Sequence, residues 1–425
     1  MLIFNLKNKN IILNNKKILK NVNFSIEKKD FVLFSGDSGS GKTTLINYLT
    51  DNYPHLVGRV FQETDQQFTM ESPFLELIFL LENIRFPTQK MGKKAKDILK
   101  EFHLLNQKDQ PVNTLSGGEQ QRLALAEASN LNSDLIILDE PFANVDSKNI
   151  NFLLQKIISL QKKGKTFIIA DHNPLLYENL VNKIFTFKNQ QVKELNKSQF
   201  SNFFNSFRFN YHFLIRKSLP TQETNSINIS KLQINFGKKE IFKNAEAKIS
   251  KSDNLLLLGE NGSGKTTLLK AIAGLQKYQG KIKKRGKLIL AFQNASETFL
   301  KVTVKEEINL SNAKSFNHFL KEKDIEYWLK ELNLNFLLSS SVYTLSGGEK
   351  KKLQILLIAI QSPDIILLDE SFAGLDKNSI LKIISLLKTI PSTKIFISHQ
   401  LFGLDQIINN VYTIEDKQLI KLKRI

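Results

Sequence analysis

Two short stretches of this chain combine glycines, a lysine and a threonine in a spacing that suits phosphate. The pattern GxxxxGK[ST] occurs at Gly36–Thr43 and at Gly259–Thr266, each time directly after an apolar run. Glycines let backbone N–H groups turn inward around phosphate oxygens, and a following helix N-terminus adds its positive dipole end. We therefore predict two nucleotide sites with these phosphate-binding residues: Gly36, Ser38, Gly39, Gly41, Lys42, Thr43 and Thr44 in the first, and Gly259, Asn261, Gly262, Gly264, Lys265, Thr266 and Thr267 in the second.

The side chains of each loop have distinct expected roles. Lys42 and Lys265 are expected to reach the β- and γ-phosphates. Thr43 and Thr266 are expected to ligate Mg²⁺ through their hydroxyls. A glycine-rich turn without a ligand is the alternative, and the apolar run before each loop disfavours it.

Downstream of each loop, the triplet LDE ends an apolar run in two carboxylates. Asp139 and Asp369 suit Mg²⁺, directly or through water. Glu140 and Glu370 follow at once, where a carboxylate polarises an attacking water. Alone, LDE also fits a plain strand-to-loop transition. Downstream of a phosphate loop, it predicts a catalytic glutamate and a metal-binding aspartate.

These motifs recur in the same order in both halves, which indicates a duplicated domain. Within each half, apolar runs such as FVLFSG and DLIILDE read as parallel strands covered on both faces. Helical patterns separate the runs. We predict an α/β fold with two tandem P-loop domains, each built on a mostly parallel sheet.

The domain boundaries follow from the repeat. We predict a first domain over residues 1–195, a phenylalanine-rich basic linker over 196–226 and a second domain over 227–425. The stretch Phe200–Phe213 fits an amphipathic element that contacts a membrane face, or one that packs against its own domain. Packing is the favoured alternative because large aromatic side chains are usually buried.

Composition narrows the class of protein. The chain has no cysteine, which excludes disulfides, thiolate-bound clusters and cysteine-ligated zinc. No apolar stretch approaches the ~20 residues that span a bilayer, and a cytoplasmic protein is expected. The net charge of +19 fits nucleic acid, ribosome or an anionic membrane as partner. However, 53 lysines face only seven arginines, so we favour A-rich codon bias, with nucleic acid not expected as a partner.

The order of the motifs resembles that of the ATP-binding-cassette (ABC) ATPases. LSGGE precedes LDE in both halves, an aspartate stands six residues beyond the glutamate at Asp146 and Asp376, and His172 and His399 follow. The resemblance implies ATP and Mg²⁺ as cofactors, a helical subdomain in each half, and head-to-tail pairing of the two halves. It implies that the histidines contact the γ-phosphate and the water. It also implies that each site is completed by the other half, through Ser116, Gly117 and Gly118 for the site of Lys265, and Ser346, Gly347 and Gly348 for the site of Lys42.

The two halves depart from the family pattern in different ways. Phe236 stands where the family places an aromatic ring under adenine, whereas Leu13 occupies that place in the first half. We therefore expect two hydrolytic sites of unequal strength. The segment after each phosphate loop is short, and we expect the family's extra β-hairpin to be trimmed in both halves.

One stretch resembles a particular branch of the family. Gln62 and Gln293 follow apolar runs, where the family has a glutamine that contacts Mg²⁺ and the water. The polar ETDQQF after Gln62 resembles the ATPases of energy-coupling-factor importers of vitamins and metal ions. There, this stretch begins a groove that accepts a helix of the transmembrane subunit. Glu63 and Asp65 are expected to pair with arginines of that helix; a solvated loop is the alternative.

The resemblance implies a function in transport. It implies an ATP-hydrolysing subunit of an importer, peripheral on the inner face of the cell membrane. Its partners would be a transmembrane coupling protein and a substrate-binding protein, both integral to the membrane. The alternative is a soluble tandem-cassette ATPase that acts on the ribosome in translation.

Overall fold

The computed structural model describes residues 2–13, 15–54, 57–61, 67–142, 145, 147–208, 225–237, 239–260 and 262–422. The chain divides into two compact units, Met1–Phe207 and Arg208–Ile425. Each unit is described by itself below.

The first unit alternates strands and helices. Its strands are β1 (Leu2–Leu13), β2 (Lys16–Glu27), β3 (Phe31–Gly36), β4 (Val57–Val60), β5 (Leu135–Asp139), β6 (Thr166–Ala170), β7 (Lys183–Lys188) and β8 (Gln191–Glu194). Its helices are α1 (Lys42–Asn52), α2 (Pro73–Asn83), α3 (Thr88–Glu101), α4 (Gly117–Asn130), α5 (Ser147–Lys162) and α6 (Lys197–Asn205).

The main sheet of the first unit has the strand order β4-β5-β6-β3-β7-β8. All neighbours are parallel except β7 and β8, which form an antiparallel edge. The strands β5 and β6 are buried along their whole length, as expected for a parallel sheet covered on both faces.

Successive residues of β3 enter two different cores. Phe31 and Leu33 pack among the helices α2 to α5, whereas Val32 and Phe34 pack against α1 and the β1–β2 hairpin. This alternation follows from the two-residue period of a strand. The sheet therefore lies between two apolar layers, and β3 delivers the phosphate loop from its centre.

The second unit repeats this plan. Its strands are β9 (Asn225–Phe236), β10 (Lys239–Ser250), β11 (Asn254–Leu258), β12 (Gln279–Lys284), β13 (Leu288–Ala291), β14 (Ile365–Asp369), β15 (Thr393–Ile397), β16 (Asn410–Glu415) and β17 (Gln418–Lys421). Its helices are α7 (Lys265–Ala273), α8 (Val304–Ala313), α9 (Glu322–Glu331), α10 (Gly347–Gln361) and α11 (Lys377–Lys388). The main sheet has the order β13-β14-β15-β11-β16-β17. The predicted α/β class is confirmed.

The units differ in their smaller antiparallel sheets. β1 pairs with β2 in the first unit, whereas β9 pairs with both β10 and β12 in the second. The family's extra β-hairpin was expected to be trimmed in both halves. The second unit keeps one strand in this segment, β12, whereas the described residues between α1 and β4 of the first unit include no strand. The strand β12 was not predicted because its sequence, QGKIKK, is polar: an exposed edge strand has no continuous apolar run.

The start of the predicted linker is helical and belongs to the first unit. The helix α6 carries Phe200, Phe203 and Phe204, and Phe204 is buried in the core of the first unit. The spacing of these rings places them on one face. Of the stretch Phe200–Phe213, the residues from 209 onward lie outside the described residues. No described helix is long and apolar enough to cross a membrane.

Candidate functional site

Each phosphate loop runs from the end of a central strand into a helix. Gly41 has φ +100° and Gly264 has φ +106°, backbone conformations that favour glycine. A Cβ on Gly41 would lie 2.8 Å from Leu19 Cδ2, and one on Gly264 would lie 2.4 Å from Ile241 Cγ2. These glycines let α1 and α7 start at the lysine with their N–H groups facing the loop.

The loop lysines fold back over their own loops. Lys42 Nζ donates to the carbonyl oxygens of Gly36 at 2.7 Å and Asp37 at 3.1 Å. Lys265 Nζ donates to those of Gly259 at 2.8 Å and Glu260 at 3.0 Å. Burial lowers the pKa of Lys265 from its ordinary value, although nearby carboxylates oppose the shift. Each ammonium group is thus held inside its loop, where it could donate hydrogen bonds to phosphate oxygens.

A serine that the motif leaves unspecified lies inside each loop. The hydroxyls of Ser40 and Ser263 are buried, and within the described residues neither has a hydrogen-bond partner. A buried hydroxyl without a partner carries a desolvation cost that an incoming oxygen would relieve. Sequence reasoning named Ser38 in this loop and missed Ser40 and Ser263.

The structure brings together the predicted threonine and aspartate of each metal site. Thr266 Oγ1 donates to Asp369 Oδ1 at 3.2 Å, and the hydroxyl of Thr43 donates to Asp139. Burial raises the pKa of both aspartates, and the negative charge of the adjacent glutamate, Glu140 or Glu370, raises it further. A hydroxyl beside a carboxylate is a donor set that suits Mg²⁺. Within the described ranges, no group of three or more His, Cys, Asp or Glu side chains is arranged to hold a metal ion.

The residues Glu140 and Glu370 stand at the turns after β5 and β14. Both have left-handed backbones, with φ +48° and +50°. Their N–H groups donate to the neighbouring strand, to Ala170 O at 2.8 Å and Ile397 O at 2.9 Å. These bonds hold an unfavourable conformation at the strand end.

Each of these glutamates lies beside the candidate histidine of the same unit. His172 Nε2 lies 3.0 Å from Glu140 Oε1, and His399 Nε2 lies 3.5 Å from Glu370 Oε1. The side chain of His172 is buried, whereas that of His399 is half exposed. A carboxylate paired with an imidazole can orient and deprotonate a water.

A buried acid beside the first histidine was missed by sequence reasoning. Asp171 accepts from Tyr177 Oη at 2.6 Å and from the N–H of Asn173 at 2.8 Å. Burial raises the pKa of Asp171 to about 6. The second unit has Ser398 at this place, where its hydroxyl accepts from the N–H of Gln400 at 3.1 Å. There the N–H of His399 donates to the Glu370 carboxylate at 3.1 Å.

The Ser-Gly-Gly turns open the helices α4 and α10. Ser116 and Ser346 are N-cap residues in capping boxes with Glu119 and Glu349. Both turns thus present helix N-termini, as expected of a second anion contact. The glycines Gly117 and Gly347 start the helices, and Gly118 and Gly348 follow them.

The helix α10 also reaches the turn after β14 in its own unit. Lys351 Nζ donates to Ala373 O at 2.7 Å and to Glu370 O at 3.3 Å. Burial lowers the pKa of Lys351 to about 8, and Glu370 opposes that shift. Lys351 therefore links α10 to the segment that follows β14. The sequence alone gave no signal for this contact.

Some of the predicted site residues lie outside the part of the chain that the structure describes. Gln62 and Asn261 lie outside the described residues, as do Glu63 and Asp65, and the side chain of Phe236 is also outside them. Gln293 is described and exposed, two residues beyond the end of β13.

Arg59 on β4 is an unpredicted neighbour of the first site. Its Nη2 lies 3.7 Å from Asp139 Oδ2, and its guanidinium lies 4.3 Å from the centre of the Phe61 ring. Burial lowers the pKa of Arg59, and the charges of Asp139 and Asp51 oppose that shift.

Fold and site together define a tandem P-loop nucleotide-binding protein. The sequence profile of the ABC transporter family matches residues 19–143 and 242–373, more than half of the chain. The chain therefore belongs to the ABC transporter family. Membership implies ATP binding and ATP hydrolysis, and it confirms the resemblance drawn from the motifs.

Relatives match both halves at once. A Methanosarcina acetivorans protein, provisionally named an ABC transporter ATP-binding protein, is 25% identical over 95% of this chain and 86% of its own length. A Bacillus subtilis protein, provisionally named an HMP/thiamine import ATP-binding protein, is 24% identical over 95% of this chain and 88% of its own.

Two solved structures have the same fold. RNase-L Inhibitor superposes with a TM-score of 0.69 at 20% identity, over 93% of this chain and 87% of that one. An archaeal ribosome recycling factor, solved with a ribosomal stalk protein, superposes at 0.70 and 20%, over 93% of this chain and 84% of that one. At this identity the likeness shows the fold alone.

Proposed function

We propose that this chain is the ATP-hydrolysing subunit of an importer of the energy-coupling-factor type. The observation that carries the proposal is the match of transporter ATP-binding relatives across both halves, one of them provisionally named for HMP/thiamine import. The chain would lie in the cytoplasm against the inner face of the membrane, and integral membrane subunits would supply the transport path.

The proposed chemistry uses the same parts in each unit. Lys42 and Lys265 bind phosphate oxygens, while Glu140 with His172 and Glu370 with His399 polarise the attacking water. We propose that Mg²⁺ is held by Thr43 and Asp139 in one site, and by Thr266 and Asp369 in the other. Their hydroxyl–carboxylate contacts support this assignment. Bound there, Mg²⁺ would neutralise charge that develops on the phosphates.

We also propose that the two units pair head to tail. Each Ser-Gly-Gly turn would then face the phosphate loop of the other unit. The exposed helix N-termini at Ser116 and Ser346 support this role, because each offers backbone N–H groups and a dipole end to an anion.

An exposed apolar surface in the second unit supports a protein partner. Leu300 is 71% exposed and Phe336 is 86% exposed, and Val302 and Tyr343 are also largely exposed. Val302 and Tyr343 are close because the N–H of Val342 donates to Val302 O at 2.8 Å. We call Leu300, Val302, Phe336 and Tyr343 the apolar surface. Large apolar side chains that are exposed and lie on neighbouring segments, as Val302 and Tyr343 do, are typical of interaction sites.

The first unit has the same scaffold with polar side chains. Glu76 accepts from the N–H groups of Thr69 and Met70 as Glu307 does from those of Leu300 and Lys301. The N–H of Val112 likewise donates to Glu71 O. By this correspondence, the first unit has exposed polar residues where the second has Leu300, Val302, Phe336 and Tyr343. These residues are, in the same order, Thr69, Glu71, Asn106 and Asn113. Packing within a unit does not explain the difference, whereas a partner that contacts the second unit does.

Action on the ribosome is the second candidate. The structural likeness to a ribosome recycling factor and the net charge of +19 favour it. The likeness reaches only the fold, and arginine is scarce in the basic composition.

Affinity purification from the native host in mild detergent distinguishes the two candidates. We expect small integral membrane proteins to accompany the tagged chain, identified by mass spectrometry. Ribosomal proteins that persist at moderate salt, without membrane proteins, would support the ribosomal alternative instead, because screening removes non-specific charge contacts.

A further inference from the structure

Arg59 places a permanent positive charge beside the carboxylate of the first proposed metal site. β4 lies next to β5, with Arg59 opposite Ile137, so its side chain reaches along the strand to Asp139. The two side chains are 12% and 2% exposed, which means that water screens the pair weakly.

The second unit has no charge at the corresponding position. β13 pairs with β14 as β4 pairs with β5, and Leu290 stands opposite Leu367 as Arg59 stands opposite Ile137. Leu290 is therefore the counterpart of Arg59. Asp369 has the hydrogen bond from Thr266 but no arginine on the neighbouring strand.

Hydrogen bonding does not explain why a guanidinium is buried at this place. The 3.7 Å separation from Asp139 is longer than a hydrogen bond, and Arg59 Nε is buried without a partner among the described residues. A buried arginine with an unsatisfied donor costs stability. The guanidinium stacks on the Phe61 ring, and its positive charge is the property through which it can affect the site.

A cation close to Asp139 competes with any other cation for the same negative charge. The groups that face Arg59 include Asp51, and those around Asp139 include Lys42, Thr43 and Glu140. Arg59 and Lys42 already supply two positive charges to this cluster. Asp369 likewise has two cations nearby, Lys270 and Lys265. What distinguishes the first site is that Arg59 lies on the strand beside Asp139, with its Nη2 3.7 Å from the carboxylate, so a divalent ion that binds there meets repulsion from this side chain.

We propose that Arg59 weakens divalent-cation binding at the first nucleotide site. The inference rests on the proposed function, since it assumes that both sites bind a metal with ATP.

The test measures metal binding rather than turnover. Mn²⁺ is titrated into the full chain with ATP at low temperature, and free Mn²⁺ is read by electron paramagnetic resonance. The Lys265→Ala background restricts nucleotide to the first site. There, Arg59→Leu copies the second unit and should tighten Mn²⁺ binding about tenfold, the order expected for removing a charge ~4 Å from a carboxylate. Arg59→Lys keeps the charge and should leave the affinity near that of the parent.

The mirror variant tests the same charge in the second site. In the Lys42→Ala background, Leu290→Arg should weaken Mn²⁺ binding by a similar factor. Unchanged Mn²⁺ affinity in Arg59→Leu, with nucleotide still bound, would overturn the proposal. Loss of metal-free nucleotide binding in Arg59→Leu would also overturn it, because Arg59 would then be a phosphate ligand. If neither background bound nucleotide, the proposed function itself would fail, and the two failures are thus separable.

Discussion

At the scale of single residues, each unit holds a glutamate and a histidine at one turn. The left-handed backbones of Glu140 and Glu370 cost about 1–2 kcal/mol each. Cross-strand hydrogen bonds hold both turns in place, and a strained residue held in this way is a candidate for chemistry. The same strain in both units argues for two hydrolytic sites.

We predict that Glu370→Gln lowers the rate of phosphate release about tenfold or more, and that Glu140→Gln causes a smaller loss. Glutamine keeps the shape but cannot take a proton from water, and a general base contributes roughly 10²–10⁴-fold. The first site is expected to be the weaker contributor because Leu13 stands where the second half has Phe236 for stacking under adenine. The double variant should lose nearly all turnover while it still binds a fluorescent ATP analogue.

The exposed Glu194→Gln, at the end of β8, is the control and should behave as the parent protein. The assignment of these glutamates would be wrong if both single variants kept full turnover.

At the scale of elements, the sequence was informative wherever a motif follows an apolar run. The strands β3, β5 and β6 could be predicted because both faces of each strand are buried. The motif Gly36–Thr43 marks the end of β3, and Asp139–Glu140 marks the end of β5. Arg59 was not readable, since VGRV shows no sign of which strand lies beside it. Only the register of β4 on β5 brings Arg59 to Asp139. Lys351 was missed for the same reason, as its partner Ala373 is distant in sequence.

The interior of β15 carries an unusual lysine. Lys394 is 2% exposed, and its Nζ donates to Ile390 O at 2.7 Å and Ser392 O at 3.0 Å. Burial lowers the pKa of Lys394 from 10.5 to about 8. Between about pH 8 and 10.5 the unfolded chain therefore holds a proton that the folded state has lost. Stability consequently rises with pH in that window.

We predict that Lys394→Met removes most of this lysine's share of the rise. The free energy of unfolding, measured with urea at pH 7.5 and 9.5, should increase by about 2 kcal/mol less in the variant than in the parent. The exposed Lys388→Met is the matched control and should keep the parent's pH dependence. An unchanged rise in Lys394→Met would instead show that this side chain keeps its proton in the folded state at both pH values.

At the scale of the whole molecule, the two units share a fold but differ in charge and exposed side chains. The first has Arg59 at its metal site and polar residues on the scaffold of the apolar surface. The second has Leu290 and the apolar surface itself. The sequence reasoning predicted unequal sites from Phe236 and Leu13, but it placed the stronger partner contact in the first half. A surface is recognised only when exposure is known, and a stretch such as TFLKVTV gives no sign of it.

The central claim is that this ATPase works on membrane subunits, and the apolar surface offers the most direct test. Leu300→Thr/Val302→Glu copies the residues of the first unit, and Leu275→Thr is a control, exposed and outside that surface at the end of α7. Each tagged chain is purified from native membranes in mild detergent, and the accompanying integral membrane proteins are quantified. We predict that the parent and Leu275→Thr retain them and that the double variant loses most of them. Equal recovery by all three chains, or recovery of ribosomal proteins in their place, would contradict the claim.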